Sequence, residues 1–362
     1  MTEYIKTSID RRLACLTLDR PRALNALSLD MIRAITDALS AWRADGAIDA
    51  VVIRSSMGRA FCAGGDIRYF HGLAHATPSG GSAALEDFFT EEYALNHLIH
   101  HYPKPYIALM DGVVMGGGMG ISQGSRTQGL RVVTERTKMA MPEVNIGLFP
   151  DVGGSYFLPR ARGRIGCYLA LTGHIIGGPD AVFAGLADAL VPFEQHPLLL
   201  QELAQAGDAW RATVMRFSTT ADSLEAIGNA PLAQHENAIA LHFSQPTVQQ
   251  IMASLERDDS AFAQEALGSM RKRSPTMLAV ALRQLERGAE LSLADCLRME
   301  RGMVRHCFLH GDVVEGIRAA AIDKDDAPHW HPAMLDEVTG EMVESYFAPV
   351  WPAAAHPLRH LD

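Results

Sequence analysis

Apolar and polar residues alternate at the start of the chain. Ile5, Thr7 and Ile9 oppose Tyr4, Lys6 and Ser8, a turn falls at Asp10-Arg11, and LACLTLD follows. Period-two alternation on both sides of a short polar turn predicts a β-hairpin. The period then changes. Ile32, Ile35, Leu39 and Trp42 recur at helical spacing, and Ser28 stands where a capping side chain would close the first turn. AVVIR (50–54) predicts a short buried strand, followed by the turn-rich MGRAFCAGGD. A helix carrying EDFFTEEYALNHLIHH is stopped by Pro103 and Pro105.

The same order recurs twice. PYIALM predicts a strand that runs into the glycine-dense DGVVMGGGMG and a small-residue helix. GLRVVTE and TKMAM predict strands ahead of the irregular PEVNIGLFPDVGG and a helix SYFLPR. Each unit reads as strand, glycine-bearing turn and helix at loose spacing, which predicts stacked β-β-α units. From about Pro192 strand signals fade, and helical patterns such as PTVQQIMASLE and SPTMLAVALRQLERG dominate. The expectation is an α/β fold: a core over residues 1–200 and a mostly helical part over 201–362 packed on it.

Composition narrows the class. The chain has 362 residues, 48% hydrophobic and 20% charged, enough for a full core. Its net charge of −10 leaves no general phosphate-neutralising face, so nucleic acid is not an expected partner. A small polyanionic ligand stays open, because a few cations and backbone N–H groups suffice to hold one. The five cysteines show no C-x-x-C or Cys/His ligand spacing, so neither disulfides nor a metal is expected. The longest charge-free run, 237–255, contains Pro246, three glutamines and His242, which argues against a membrane span. The first residues lack the apolar core of a secretory leader, and a cytoplasmic location is the expectation.

Candidate chemistry sits in the irregular segments. Ala63-Gly64-Gly65 and Gly116-Gly117-Gly118 follow strands and allow a ligand to approach the main chain. Converging N–H groups there would form an oxyanion hole, although tight turns made for close packing would look the same. A dinucleotide fingerprint fails, because Ile121 and Gln123 occupy the last glycine's place. In MPEVNIGLFPDVGG, Glu143 and Asp151 lie among Met139, Met141, Ile146, Leu148 and Phe149. Carboxyls in apolar surroundings pair, take a raised pKa, or perform acid/base work. Asp151 also precedes a predicted helix and could be its N-cap; Glu143 has no capping role. No H-E-x-x-H pattern or G-x-S-x-G elbow occurs.

At these segments the chain resembles the crotonase (enoyl-CoA hydratase/isomerase) superfamily. The stretches that carry the resemblance are RPRALNAL (20–27), FCAGGDI (61–67), KPYIALMDGVVMGGGMG (104–120), MPEVNIGLFPDVGG (141–154) and LTGHIIGGPDAVFAGLAD (171–188). EEYALN (91–96), GLFPDVGGSYFLPR (147–160), SPTMLAVALRQL (274–285) and DVVEGIRAAAIDKDDAPHW (312–330) are similar to its acyl-CoA hydrolase branch. The resemblance implies a crotonase-like ββα superhelix. It implies oxyanion amides at Gly65 and Gly117, a substrate contact from Glu92, and catalytic carboxylates at Glu143 and Asp151. Coenzyme A, part of the substrate and not a resident cofactor, would lie against Arg22, Ala23 and Leu24 on one side and Ala63, Gly64 and Ile67 on the other. A homo-oligomer is a further implication.

One departure bears on the reaction. Hydratases of the superfamily carry a glutamate after the glycine-rich turn, where this chain has Gly120. Placing water across a double bond takes two carboxylates, so the change argues against plain hydration, and Asp151 supplies a second acid elsewhere. The expected activity is hydrolysis of a short β-hydroxyacyl-CoA thioester, foremost 3-hydroxyisobutyryl-CoA, within valine degradation. A hydratase or isomerase, or an acyl-CoA binding protein without turnover, are the alternatives. Whether Glu143 acts as nucleophile or as general base stays open.

Overall fold

The computed structural model describes residues 2–77, 81–124, 127–219, 230–310 and 312–362. The chain forms two compact units, each assembled from three stretches. The first unit comprises residues 1–65, 94–139 and 175–234; the second comprises 66–93, 140–174 and 235–362. The units therefore interleave along the sequence, where the sequence reading placed one cut at residue 200.

The first unit is built on strands. β1 (Ile5–Asp10) and β2 (Leu13–Leu18) form the expected hairpin, paired from Ile5↔Leu18 to Asp10↔Leu13. The turn falls at Arg11-Arg12, and Arg11 takes a left-handed φ of 55°. β3 (Ala50–Ser55), β4 (Ala60–Cys62), β5 (Tyr106–Met110), β6 (Val113–Met115), β7 (Gly129–Val133), β8 (Lys138–Ala140), β9 (Ile176–Gly177) and β10 (Ala189–Leu190) follow. They make a six-stranded sheet in the order β1-β2-β3-β5-β7-β10, parallel from β2 onward, and a smaller sheet β4-β6-β8-β9. In each repeat the first strand joins the large sheet and the second joins the small one.

Val52, Ile107, Leu109 and Val132 of the large sheet pack against Leu199, Leu203, Trp210 and Val214 of the helices His196–Leu203 and Trp210–Phe217. Each such side chain contributes about 1.5–3 kcal/mol by leaving water. The helix predicted after Ser28 spans Leu29–Arg43, and the Ser28 side chain accepts the Met31 N–H.

The second unit is helical. Ser274, Ser260 and Thr247 each cap a helix through the N–H three residues on, an arrangement that typically contributes about 1 kcal/mol. The helix Pro275–Gly288 approaches the main chain at Ser155 so closely that a Cβ on Gly288 would lie 2.0 Å from the Ser155 carbonyl oxygen. Only glycine allows that approach.

Two local expectations change. The segment after FCAGGD is a helix, Ile67–Ala76, whose first turn is closed by the Asp66 carboxylate accepting the Tyr69 N–H at 3.2 Å. The helix expected at SYFLPR is one turn, Gly154–Phe157. All five cysteines are buried and none is in a disulfide. Among the described residues no helix is long and apolar enough to cross a membrane.

Candidate active site

In the first unit the chemically interesting groups belong to the main chain. Pro21–Ala23 forms a 3-10 turn, and Leu24 and Asn25 are left-handed (φ 49° and 57°). Asn25 is fully buried, and its amide donates to Ser55 Oγ, Ala60 O and Phe61 O. Those bonds hold Arg22, Ala23 and Leu24 beside the end of β4, where the Ala63 N–H reaches Leu24 O at 3.1 Å and the Leu27 N–H reaches Gly64 O at 2.7 Å.

The pairing of Leu27 with Gly65 is parallel, so the strand bonds are made by the residues either side of Gly65. The N–H of Gly65 itself points the other way. Gly64 has φ +98°, and a Cβ there would sit 3.2 Å from Met115 O and 3.6 Å from Gly117 N. The two glycine turns therefore adjoin. Gly117 opens the short helix Gly117–Gly120, and its N–H has no carbonyl one turn back to bond. N–H groups on adjoining turns can hold one carbonyl oxygen between them as it gains charge.

In the second unit the chemistry belongs to side chains. Glu92 comes from the helix Ala83–His100, Glu143 opens the 3-10 turn Glu143–Ile146, Asp151 lies in the loop that follows, and Glu300 comes from the helix Leu293–His310. All four are buried, Glu300 completely. The Tyr93 hydroxyl donates to Asp151 Oδ2 at 2.7 Å. Asp151 is not an N-cap: Gly153 occupies that position, and no side chain caps the turn. The N-cap alternative for Asp151 is therefore withdrawn.

Burial pushes Asp151 up to about 6, against the pull of the Tyr93 hydrogen bond. Burial first, then the charge of Asp151, lifts Glu143 well above the usual carboxylate range. Glu92 rises for the same first reason, then through Asp151 and Glu143. Glu300 is lifted to about 8 by burial, partly offset by its bonds to Ser155 and Gly153. Like charges this close in a dry site cannot all ionise, so the group shares protons. Glu92 Oε1 and Glu143 Oε2 are buried without a hydrogen-bond partner. Leaving such an atom unpaired costs about 1–3 kcal/mol, which packing alone does not justify.

The loop carrying Asp151 is strained. Val152 is β-branched yet holds φ 51°. A non-glycine residue in that region costs about 1–3 kcal/mol and persists where its surroundings over-determine it.

Second-unit residues thus include Glu92, Glu143 and Asp151, with Ile67 at the first position of its helix. Gly65, Gly117, Arg22, Ala23, Leu24, Ala63 and Gly64 belong to the first unit. The sequence reading missed Tyr93, Ser155, Gln284, Glu300 and the pinning role of Asn25. A signal for Glu300 existed: it falls on the apolar stripe Leu293, Cys296, Leu297, Met303, Val304, Cys307, the place where an acid is most costly.

Comparison with known proteins identifies the family. The enoyl-CoA hydratase/isomerase family model matches residues 13–347. The chain is 42% identical to the mitochondrial 3-hydroxyisobutyryl-CoA hydrolase of Xenopus tropicalis, over 92% of this chain and 85% of that one. It is also 42% identical to the mitochondrial 3-hydroxyisobutyryl-CoA hydrolase of Rattus norvegicus, over 96% and 89%. A crystal structure described as a carnitinyl-CoA dehydratase from Mycobacterium thermoresistibile superposes with a TM-score of 0.89. It shares 38% identity and covers 97% of this chain and 98% of its own. The α/β crotonase fold expected from the sequence is the fold observed.

The cytoplasmic expectation is corrected, since these relatives are named as mitochondrial proteins. An apolar leader core marks secretion, whereas mitochondrial leaders are amphipathic and arginine-rich, so the lack of such a core has no bearing on a mitochondrial location. Glycine turns in one unit, a buried carboxyl group in the other and a family match over most of the sequence agree: this chain belongs to the enoyl-CoA hydratase/isomerase family.

Proposed function

We propose that the chain hydrolyses 3-hydroxyisobutyryl-CoA to 3-hydroxyisobutyrate and free coenzyme A, a step of valine degradation. The observation that carries the reading is the buried pair Glu143 and Asp151. It occurs in a chain 42% identical to relatives named for that reaction. In the mechanism, the amides of Gly65 and Gly117 take the thioester oxygen as the carbonyl carbon turns tetrahedral. Glu143 either attacks that carbon, giving a mixed anhydride that water then opens, or draws the proton from an attacking water. The C–S bond breaks, and the thiolate leaves to take up a proton. Asp151 as carboxylate, steadied by Tyr93, accepts the β-hydroxyl, and Glu92 contacts the same acyl group. The pantetheine and nucleotide portion lies along Arg22, Ala23, Leu24, Ala63, Gly64 and Ile67. Coenzyme A enters as substrate, and the chemistry calls for no metal or redox group.

The dehydratase description of the superposed crystal structure favours a second reading, reversible loss and gain of water. Gly120, where the hydratases hold a glutamate, counts against it. Purified protein separates the two readings. Thiol release from 3-hydroxyisobutyryl-CoA, with no change in the ultraviolet absorbance of crotonyl-CoA, is the expected result. Rapid crotonyl-CoA hydration without thiol release would promote the second reading.

A further inference from the structure

Asp151 is the only carboxylate of the buried group carried by a strained loop, and that loop is held from both sides. Upstream of Asp151, the Gln284 amide donates to Pro150 O at 2.6 Å, and downstream it donates to Ser155 Oγ at 2.9 Å. Downstream, Glu300 Oε2 accepts the Gly153 N–H at 2.8 Å, while Oε1 accepts the Ser155 N–H at 2.9 Å and the Ser155 hydroxyl. Gln284 and Glu300 are both fully buried and come from the helices Pro275–Gly288 and Leu293–His310. The left-handed Val152 lies between the Pro150 anchor and the anchors at Gly153 and Ser155, directly after Asp151.

We propose that Glu300, acting with Gln284, is a positioning residue that clamps the Pro150–Ser155 loop in the backbone conformation that aims Asp151. The proposal rests on the reading of Asp151 as catalytic. A buried carboxylate suits this task because both its oxygens accept, and the loop presents two N–H groups and a hydroxyl. Glutamine in its place keeps the volume but turns one end into a donor, so one loop N–H must face another N–H. A leucine would fill the space and hold nothing. The hydrogen bonds from Ser155 and Gly153 favour the carboxylate form, against the burial that raises its pKa.

The test is a double-mutant cycle on thiol release from 3-hydroxyisobutyryl-CoA, using Glu300→Gln, Asp151→Asn and the double variant. Removing a positioning contact lowers kcat while ground-state binding stays intact. Glu300→Gln should therefore cost roughly 10- to 100-fold in kcat and leave KM within about threefold. Acting through Asp151, it should cost less than about threefold more once Asp151 is asparagine.

An equal cost on both backgrounds makes Glu300 a general structural residue and overturns the proposal. So does unchanged kcat in folded Glu300→Gln while Asp151→Asn is inactive. Near-normal turnover by Asp151→Asn removes the catalytic reading of Asp151 itself, a separate failure. Should Glu300→Gln not fold, Ser155→Ala takes one hydroxyl from the clamp. It should lower kcat about three- to tenfold on the Asp151 background alone, and an equal loss in Asp151→Asn again overturns the clamp.

Discussion

In the strand-built unit the groups suited to chemistry are main-chain N–H groups at Gly65 and Gly117, on turns that adjoin because glycine permits it. In the helical unit they are carboxyl side chains drawn from residues 92, 143, 151 and 300. Main-chain donors need no particular side chain, only a backbone path, and they keep one charge state at every pH. Buried carboxyls need neighbours to set their protonation and a scaffold to aim them. Substitution and pH should therefore act differently on the two sets of groups.

The largest expected effect falls on the side-chain set. Glu143→Gln keeps the shape and removes both nucleophilicity and basicity, so kcat should drop about 10²- to 10⁴-fold. Coenzyme A binding, measured by calorimetry, should change little. Near-normal turnover would remove Glu143 from the centre of the account.

Next comes a main-chain lesion. Gly117→Pro deletes one N–H at a helix start, a position where proline is tolerated, and should cost about 10²- to 10³-fold in kcat. Gly117→Ala keeps the N–H, so its loss should be much smaller. Equal losses in the two variants would show that the glycine serves packing and not the amide.

Tyr93→Phe takes away the hydrogen bond that holds Asp151 down. Asp151 then protonates at higher pH, and if its carboxylate is the working form the acid limb of kcat moves up. Turnover near pH 6 should fall roughly three- to tenfold and recover as pH rises. A loss that is the same at every pH would mean that Tyr93 only packs.

The last effect is on stability and leaves turnover aside. Glu300 holds its proton more tightly folded than unfolded, its pKa rising from 4.5 to about 8. The folded state therefore binds more protons across that window, and stability falls as pH rises through it, by at most about 1.4 kcal/mol per pH unit for one such group. Melting temperature should decline from pH 5 to about 8 in the wild type and decline less steeply in Glu300→Gln. Identical slopes would place the proton elsewhere in the group.

The same contrast explains what could be read from the sequence. Gly64-Gly65 and Gly116-Gly117 announce themselves locally, because a turn that must adopt special angles selects residues in a row. Ser28 and Ser274 do so too, since a cap and its helix are contiguous. Glu143 and Asp151 were visible because apolar neighbours in sequence signal burial. Tyr93, Gln284 and Glu300 were not, because each is an ordinary helix residue until a distant loop docks on it. Asp151 could be read as a cap for the same reason: its partner Tyr93 lies 58 residues upstream. The interleaving of the two units is likewise invisible to local pattern, since it depends on stretches that meet only when folded.

One measurement addresses the central claim that this chain cleaves the acyl–sulfur bond. The protein is mixed with 3-hydroxyisobutyryl-CoA in water enriched in oxygen-18, and the products are read by mass spectrometry. Hydrolysis predicts free coenzyme A and 3-hydroxyisobutyrate in equal amounts, with the label in the carboxylate of the acid. An intact thioester that gains label at its β-hydroxyl, the mark of reversible water loss and addition, would contradict the account.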